Sequence, residues 1–196
     1  NPLILKNWQP PFRLGSTSYV YPAGIVENVK RLMGQVEDIE LILFEADQSI
    51  NLSEREVERL TLLSYGRTLS FTAHLPLGLM LGESGEEREG AVNVILRIMR
   101  QLEPLSPQAY ILHLPIVKSV ANTRWVELDV GERRRWQEGC RRSLEEILSS
   151  GVDPQLLCLE NLGYPFAYVE DLIEEYGLAV CLDVGHFKLY GLSLLE

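Results

Sequence analysis

The apolar and polar residues of this chain alternate between two periods. Short runs rich in apolar and β-branched residues occupy Arg13–Tyr19, Ile39–Ala46, Leu69–Leu75, Ala109–Leu114, Leu156–Asn161 and Leu178–Val184. Each has the length of a strand. Between them lie stretches with apolar residues every three or four positions. Gly24–Gln35 places Ile25, Val29, Leu32 and Met33 on one helical face. A second helix is predicted from Ser53 and Glu56, spaced as a capping box, through Val57, Leu60 and Leu63 to a stop at Gly66. Further helices are predicted over Glu86–Leu102, over Glu132–Ser149 before Gly151, and over Phe166–Tyr176 before Gly177, and a sixth begins near His186.

Runs such as ELILF and YILHL read as apolar on both faces, the pattern of parallel strands covered by helices. Strand–helix alternation with right-handed crossovers leaves an open doubly wound sheet or a (β/α) barrel. No Gly-rich phosphate-binding motif follows the first strand. The strand ends favour the barrel, whose site is built from the C-terminal ends of all its strands. Here those ends carry Ser16–Tyr19, Glu45, His74, His113, Glu160 with Asn161, and Asp183 with His186. The prediction is an α/β fold of the (β/α)8 TIM-barrel type, one partial domain over residues 1–196 with about six strand–helix units. A full barrel needs eight strands and about 250 residues. The chain starts with Asn and stops as its sixth helix begins, so a trimmed chain lacking roughly two units is expected. Open edges on the first and sixth strands predict either further chain or a contact between copies, a homo-oligomer, covering them.

Composition narrows the function classes. The chain is 46% hydrophobic and 23% charged, as in soluble globular proteins. No apolar run approaches bilayer length, and no leader-like segment is visible. Cys140, Cys158 and Cys181 lack CxxC spacing, which predicts a reduced, cytoplasmic chain with Cys158 and Cys181 as small core residues. The formal net charge of −10 argues against a nucleic-acid partner. The basic run in ERRRW, Glu132–Trp136, reads as a solvated helix face.

The chain has 3 histidines, and all stand at strand ends. Two occur in the same tripeptide, His74-Leu75-Pro76 and His113-Leu114-Pro115. A rigid strand beneath each His would hold its ring, and the proline ends the sheet ladder at once. Two coincidental strand exits would give the same tripeptide. Imidazoles and carboxylates converging on one mouth form a ligand set for zinc, manganese or iron. In Asp183-Val-Gly-His186, Gly185 permits the tight turn that lets both side chains enter the mouth. Glu160 closes LLCLE, where the competing reading is an ion pair with a neighbouring base. Glu45 closes LILFE beside Asp47 and is as readily a solvated residue. Tyr19, Tyr164 and Trp125 could line a pocket or simply pack.

The set resembles the xylose-isomerase-like TIM barrels, which include the endonuclease IV type of abasic-site nuclease and many sugar isomerases and epimerases. The resemblance implies metal ligands at His74, His113, Glu160, Asp183 and His186, with Glu160 and His186 also carrying catalysis. Both early histidines lean toward the multi-metal phosphodiester branch, since epimerases of this type use one metal. Within that branch, RLGSTSYVYPAGIVENV, DIELILFEA, TAHLPL, LCLENL and VCLDVGHFKLYG look like the cobamide-remodelling phosphodiesterases, which cleave the nucleotide loop of a cobamide and release the α-riboside of its lower ligand. The resemblance implies divalent cofactors, zinc first and manganese next, and a small-molecule substrate. Glu160 would bridge ions, His74 and His113 would hold one, Asp183 a second, and His186 a third or the substrate phosphate. The family's further ligands on strands seven and eight have no counterpart here. Sugar isomerisation or epimerisation, abasic-site cleavage, and a barrel that binds without catalysis are the competing expectations.

Overall fold

The computed structural model describes residues 12–43, 52–116 and 125–191. Six parallel strands form one sheet in the order β1-β2-β3-β4-β5-β6: β1 Gly15–Thr17, β2 Asp38–Ile42, β3 Ser70–His74, β4 Tyr110–Leu112, β5 Leu157–Glu160 and β6 Ala179–Cys181. A helix follows each strand: α1 Ile25–Leu32, α2 Glu54–Ser64, α3 Gly85–Leu102, α4 Val130–Leu148, α5 Glu170–Tyr176 and α6 Val184–Tyr190. Strand order equal to chain order, with a helix at every crossover, is the winding of a (β/α) barrel. Every predicted unit is present. The α2 capping box forms as its sequence required, with Glu56 reaching back to the Ser53 backbone at 2.9 Å.

The strands depart from the prediction in one respect. β4 is buried on both faces as YILHL predicts, but β2, in ELILF, and β3 alternate. Ile39, Leu41, Phe71, Ala73 and Leu75 are buried against the helices, while Asp38, Glu40, Ser70, Thr72 and His74 share the other parity and are half-buried. The helix-facing residues join Val29, Leu60, Ile95, Leu144 and Leu172 in one apolar cluster. The other parity faces away from the helices, where half-exposed polar residues keep part of their hydration. Period-2 alternation with one packed face follows directly.

This parity explains the repeated tripeptide. His74 and His113 face inward, Leu75 and Leu114 are the next residues and so point into the apolar layer, and both leucines are buried. The amide of Leu75 still pairs with the Ile111 carbonyl at 3.0 Å, so the His is held by sheet on both sides before Pro76 ends the ladder.

Two expectations about packing are corrected. Cys158 and Cys181 are half-buried on the inward parity of β5 and β6, and Cys140 on α4 is the fully buried cysteine. ERRRW is not wholly a solvated face. Arg134 and Arg135 are exposed, but Trp136 is buried and its indole donates to the Pro115 carbonyl at 3.2 Å. Gly139, one turn on, lies against the backbone of Gly82 in the β3–α3 loop, and Ser143 donates to the Leu81 carbonyl at 2.7 Å. Absence of a side chain at 139 lets α4 clamp that loop from outside.

Candidate metal centre

Glu160 ends β5 with its side chain on the inward face, 4% exposed at residue level. Such burial of a carboxylate demands partners. Its Oε2 lies 2.9 Å from His113 Nε2 and 3.3 Å from His74 Nε2, and its Oε1 lies 3.2 Å from His186 Nδ1. The His74 and His113 rings meet edge to face at 5.0 Å. All three histidines therefore converge on one carboxylate, brought from the end of β3, the residue after β4 and the first turn of α6. Asp183 joins from the other side, with Oδ2 3.6 Å from His186 Nδ1. Its Oδ1 accepts from the Gly185 amide at 2.6 Å and caps α6, which holds His186 in the first turn.

Outer contacts aim these side chains. His74 Nδ1 is 2.9 Å from the Leu75 carbonyl, so a proton there leaves Nε2 directed at the centre. His186 Nδ1 is 2.8 Å from the Asn161 carbonyl. Asn161 ties the two strand ends together: its Oδ1 accepts from the Asp183 amide at 2.7 Å, and its Nδ2 donates to the Asp183 carbonyl at 3.2 Å. Asn161→Ala is expected to weaken zinc binding about 10- to 100-fold, the usual cost of losing an outer contact of a ligand. Calorimetric zinc titration checks this.

Electrostatics fit a site built for positive charge. Burial would push the Glu160 carboxyl up, but hydrogen bonding to His113 and His74 outweighs it and draws it down to about 2. Burial would lower the His74 imidazole, yet its bonds to Glu160 and the Leu75 carbonyl raise it. In the metal-free chain a proton on His74 thus does part of what a cation would do. Zinc binding is expected to expel protons and to weaken as the pH falls through the raised His74 value, measurable as buffer-dependent heat.

The donor chemistry suits a divalent ion. Ligand atoms of His74, His113 and Glu160 lie within 4.8 Å of one another, and so do those of Glu160, Asp183 and His186. Imidazole nitrogens mixed with carboxylate oxygens are the usual set for zinc and also accept manganese.

The other sequence candidates fare differently. Glu45 lies outside the described residues. Tyr164 is in the core, stacked against Tyr168, with its hydroxyl donating to the Leu114 carbonyl at 3.0 Å. Tyr19 is 68% exposed in the β1–α1 loop. Trp125 stands at the rim beside Tyr190. Sequence reading missed Glu40. Burial raises its carboxyl, His74 opposes that, and the charges of Glu160, Asp38 and Asp183 raise it further, so Glu40 belongs to the field of the mouth. The signal was the alternation within DIELI, which gives Glu40 and Ile42 one parity, and Ile42 pairs with His74.

No protein-family model and no curated protein matches the sequence. Solved structures do. A D-tagatose 3-epimerase-like protein superposes with a TM-score of 0.61 at 18% identity, covering 89% of this chain and 66% of that one. Endonuclease IV from Thermus thermophilus gives 0.60 at 19%, covering 90% and 64%. A D-psicose 3-epimerase solved in the presence of D-fructose gives 0.63 at 17%, covering 91% and 65%. The chain thus spans a little under two thirds of each. Together with the six-stranded parallel sheet, these likenesses show a fold of the (β/α)-barrel type, with six strand–helix units in this chain.

Proposed function

We propose that this chain carries the metal-binding part of a hydrolytic phosphodiesterase, acting on the nucleotide loop of a cobamide. The observation that carries the reading is the shared carboxylate of Glu160. One oxygen faces His74 and His113 and the other faces His186. Asp183 completes the second group. A carboxylate with histidines on both oxygens suits more than one ion. Substrate choice rests on the resemblance of the quoted segments, and the net charge of −10 weighs against duplex DNA.

His74, His113 and Glu160 would hold one divalent ion, and Glu160, Asp183 and His186 another. When bound, such ions polarise a phosphodiester and acidify water. The chain's own residues do the rest. Leu75 and Asn161 carbonyls orient His74 and His186, Asn161 fixes the spacing of β5 and β6, and Leu114 and Leu75 anchor the strand ends from outside. His186, half-buried where Glu160 is closed off, is the ligand most open to a substrate phosphate.

The second reading is sugar epimerisation. The sugar epimerases among the similar structures favour it, as do two carboxylates, Glu160 and Asp183, at the ends of neighbouring strands. Proton transfer beside a carbonyl would need one metal and that carboxylate pair.

Metal-loaded protein incubated with a cobamide is expected to release the α-riboside, to stop with EDTA, and to bind more than one zinc per chain. One ion per chain, with interconversion of D-psicose and D-fructose and no riboside, would overturn the phosphodiesterase reading in favour of the second.

A further inference from the structure

Tyr190, in the last turn of α6, stands four residues after His186, so both share one helical face. The Tyr190 ring lies 5.8 Å from the His186 imidazole. Trp125 meets Tyr190 edge to face at 6.1 Å and an interplanar angle of 61°. Tyr190 is thus the ring that touches both His186 and Trp125. Trp125 is 38% exposed, an unusual expenditure of indole surface beside a polar mouth. The segment that carries it is nonetheless anchored. The indole N–H donates to Glu127 at 3.1 Å, the Val126 amide donates to the Gly163 carbonyl at 2.7 Å, and the Leu128 amide donates to the Tyr168 hydroxyl at 3.2 Å. A large aromatic surface, held still and left in water one ring beyond a ligand, is what a planar group needs in order to stack.

We propose that Trp125 and Tyr190 form a shelf that receives a heteroaromatic ring, the base of a nucleoside-like substrate whose phosphate reaches the centre at His186. This deepens the phosphodiesterase reading and rests on it for the position of the phosphate. With Tyr190 in contact with both rings, a phosphate at His186 would leave the sugar beside Tyr190 and the base on the indole. Because every base has a π face, the shelf selects for a flat ring without reading its edge.

Adenosine and D-ribose, titrated into the metal-free chain and followed by ligand NMR, test the shelf separately from the metal. Adenosine is expected to bind saturably, Trp125→Ala to weaken it by roughly five- to a hundredfold, as loss of a base–aromatic stack does, and Trp125→Phe to keep most of the affinity. Absent adenosine binding, unchanged affinity in Trp125→Ala, or the same Trp125 dependence for D-ribose would each overturn the shelf. A second arm compares adenosine 5′-monophosphate with adenosine in zinc-loaded protein. A zinc-dependent gain from the phosphate, lost in His113→Ala, supports the reading of the centre. No such gain removes that reading while the adenosine result still decides the shelf.

Discussion

Glu160→Gln is expected to weaken zinc binding by at least about a hundredfold, beyond the 10- to 100-fold range of outer contacts. The amide keeps the shape of the carboxylate and removes the charge that His74, His113 and His186 all face. A second signature separates this from misfolding. The Glu160 carboxyl sits at about 2 in the folded chain, below its ordinary 4.5. A depressed value stabilises the fold above the ordinary one, and that stabilisation is lost as the pH falls from about 4.5 toward 2. His74, its imidazole held above the ordinary value by Glu160 and the Leu75 carbonyl, stays protonated over that window, so protonation of Glu160 is what ends their pairing. Metal-free wild type should therefore lose stability there, and the Gln variant should lack that component. Acid titration followed by circular dichroism, beside zinc calorimetry at neutral pH, gives both readouts. Full zinc affinity in a folded Gln variant would remove Glu160 from the centre.

Gly139→Ala should cost about 3 kcal/mol, the upper range for overpacking a tight contact. A methyl group there would overlap the Gly82 carbonyl and stand 2.9 Å from the Glu83 carbonyl oxygen. Both are backbone atoms, so no side chain can swing away. Gly90→Ala on α3 is the internal control. It is exposed and nothing lies within 4 Å of the added carbon, so the same substitution is expected to stabilise by about 0.5–1 kcal/mol. Urea unfolding of the two variants should move the midpoint in opposite directions. A Gly139→Ala chain as stable as wild type would mean that α4 does not clamp the β3–α3 loop.

Much of this was legible in the chain itself. The six strand–helix units follow from periodicity, and capping residues such as Ser53 and Glu56 fix starts that the structure confirms. The convergence of His74, His113 and His186 on Glu160 was legible because polar residues closing apolar runs are costly unless they meet partners. What escaped the reading depends on parity and on distant contacts. Short runs such as ELILF do not reveal which face meets helices, so the inward position of Glu40 became visible only with the register of β2 on β3. Tyr164 could line a mouth or fill a core, and only the Leu114 carbonyl beneath its hydroxyl decides. Trp136 sits in a run of arginines, and its burial depends on a glycine far back in the chain, Gly82, where a Cβ would collide with the indole.

The strict parity of β2 and β3 bears on how such a chain can change over time. Residues at 39, 41, 71 and 73 answer to the helices, whereas Glu40, Thr72 and the others of their parity stand on the opposite face of the sheet. Substitutions at half-exposed positions cost little stability, commonly within about 0.5 kcal/mol. Selection for a new ligand can therefore rewrite every second residue while drift at the others stays constrained. Such a chain can diverge far in chemistry before its architecture feels any pressure, and relatives of low identity can keep one barrel around quite different reactions.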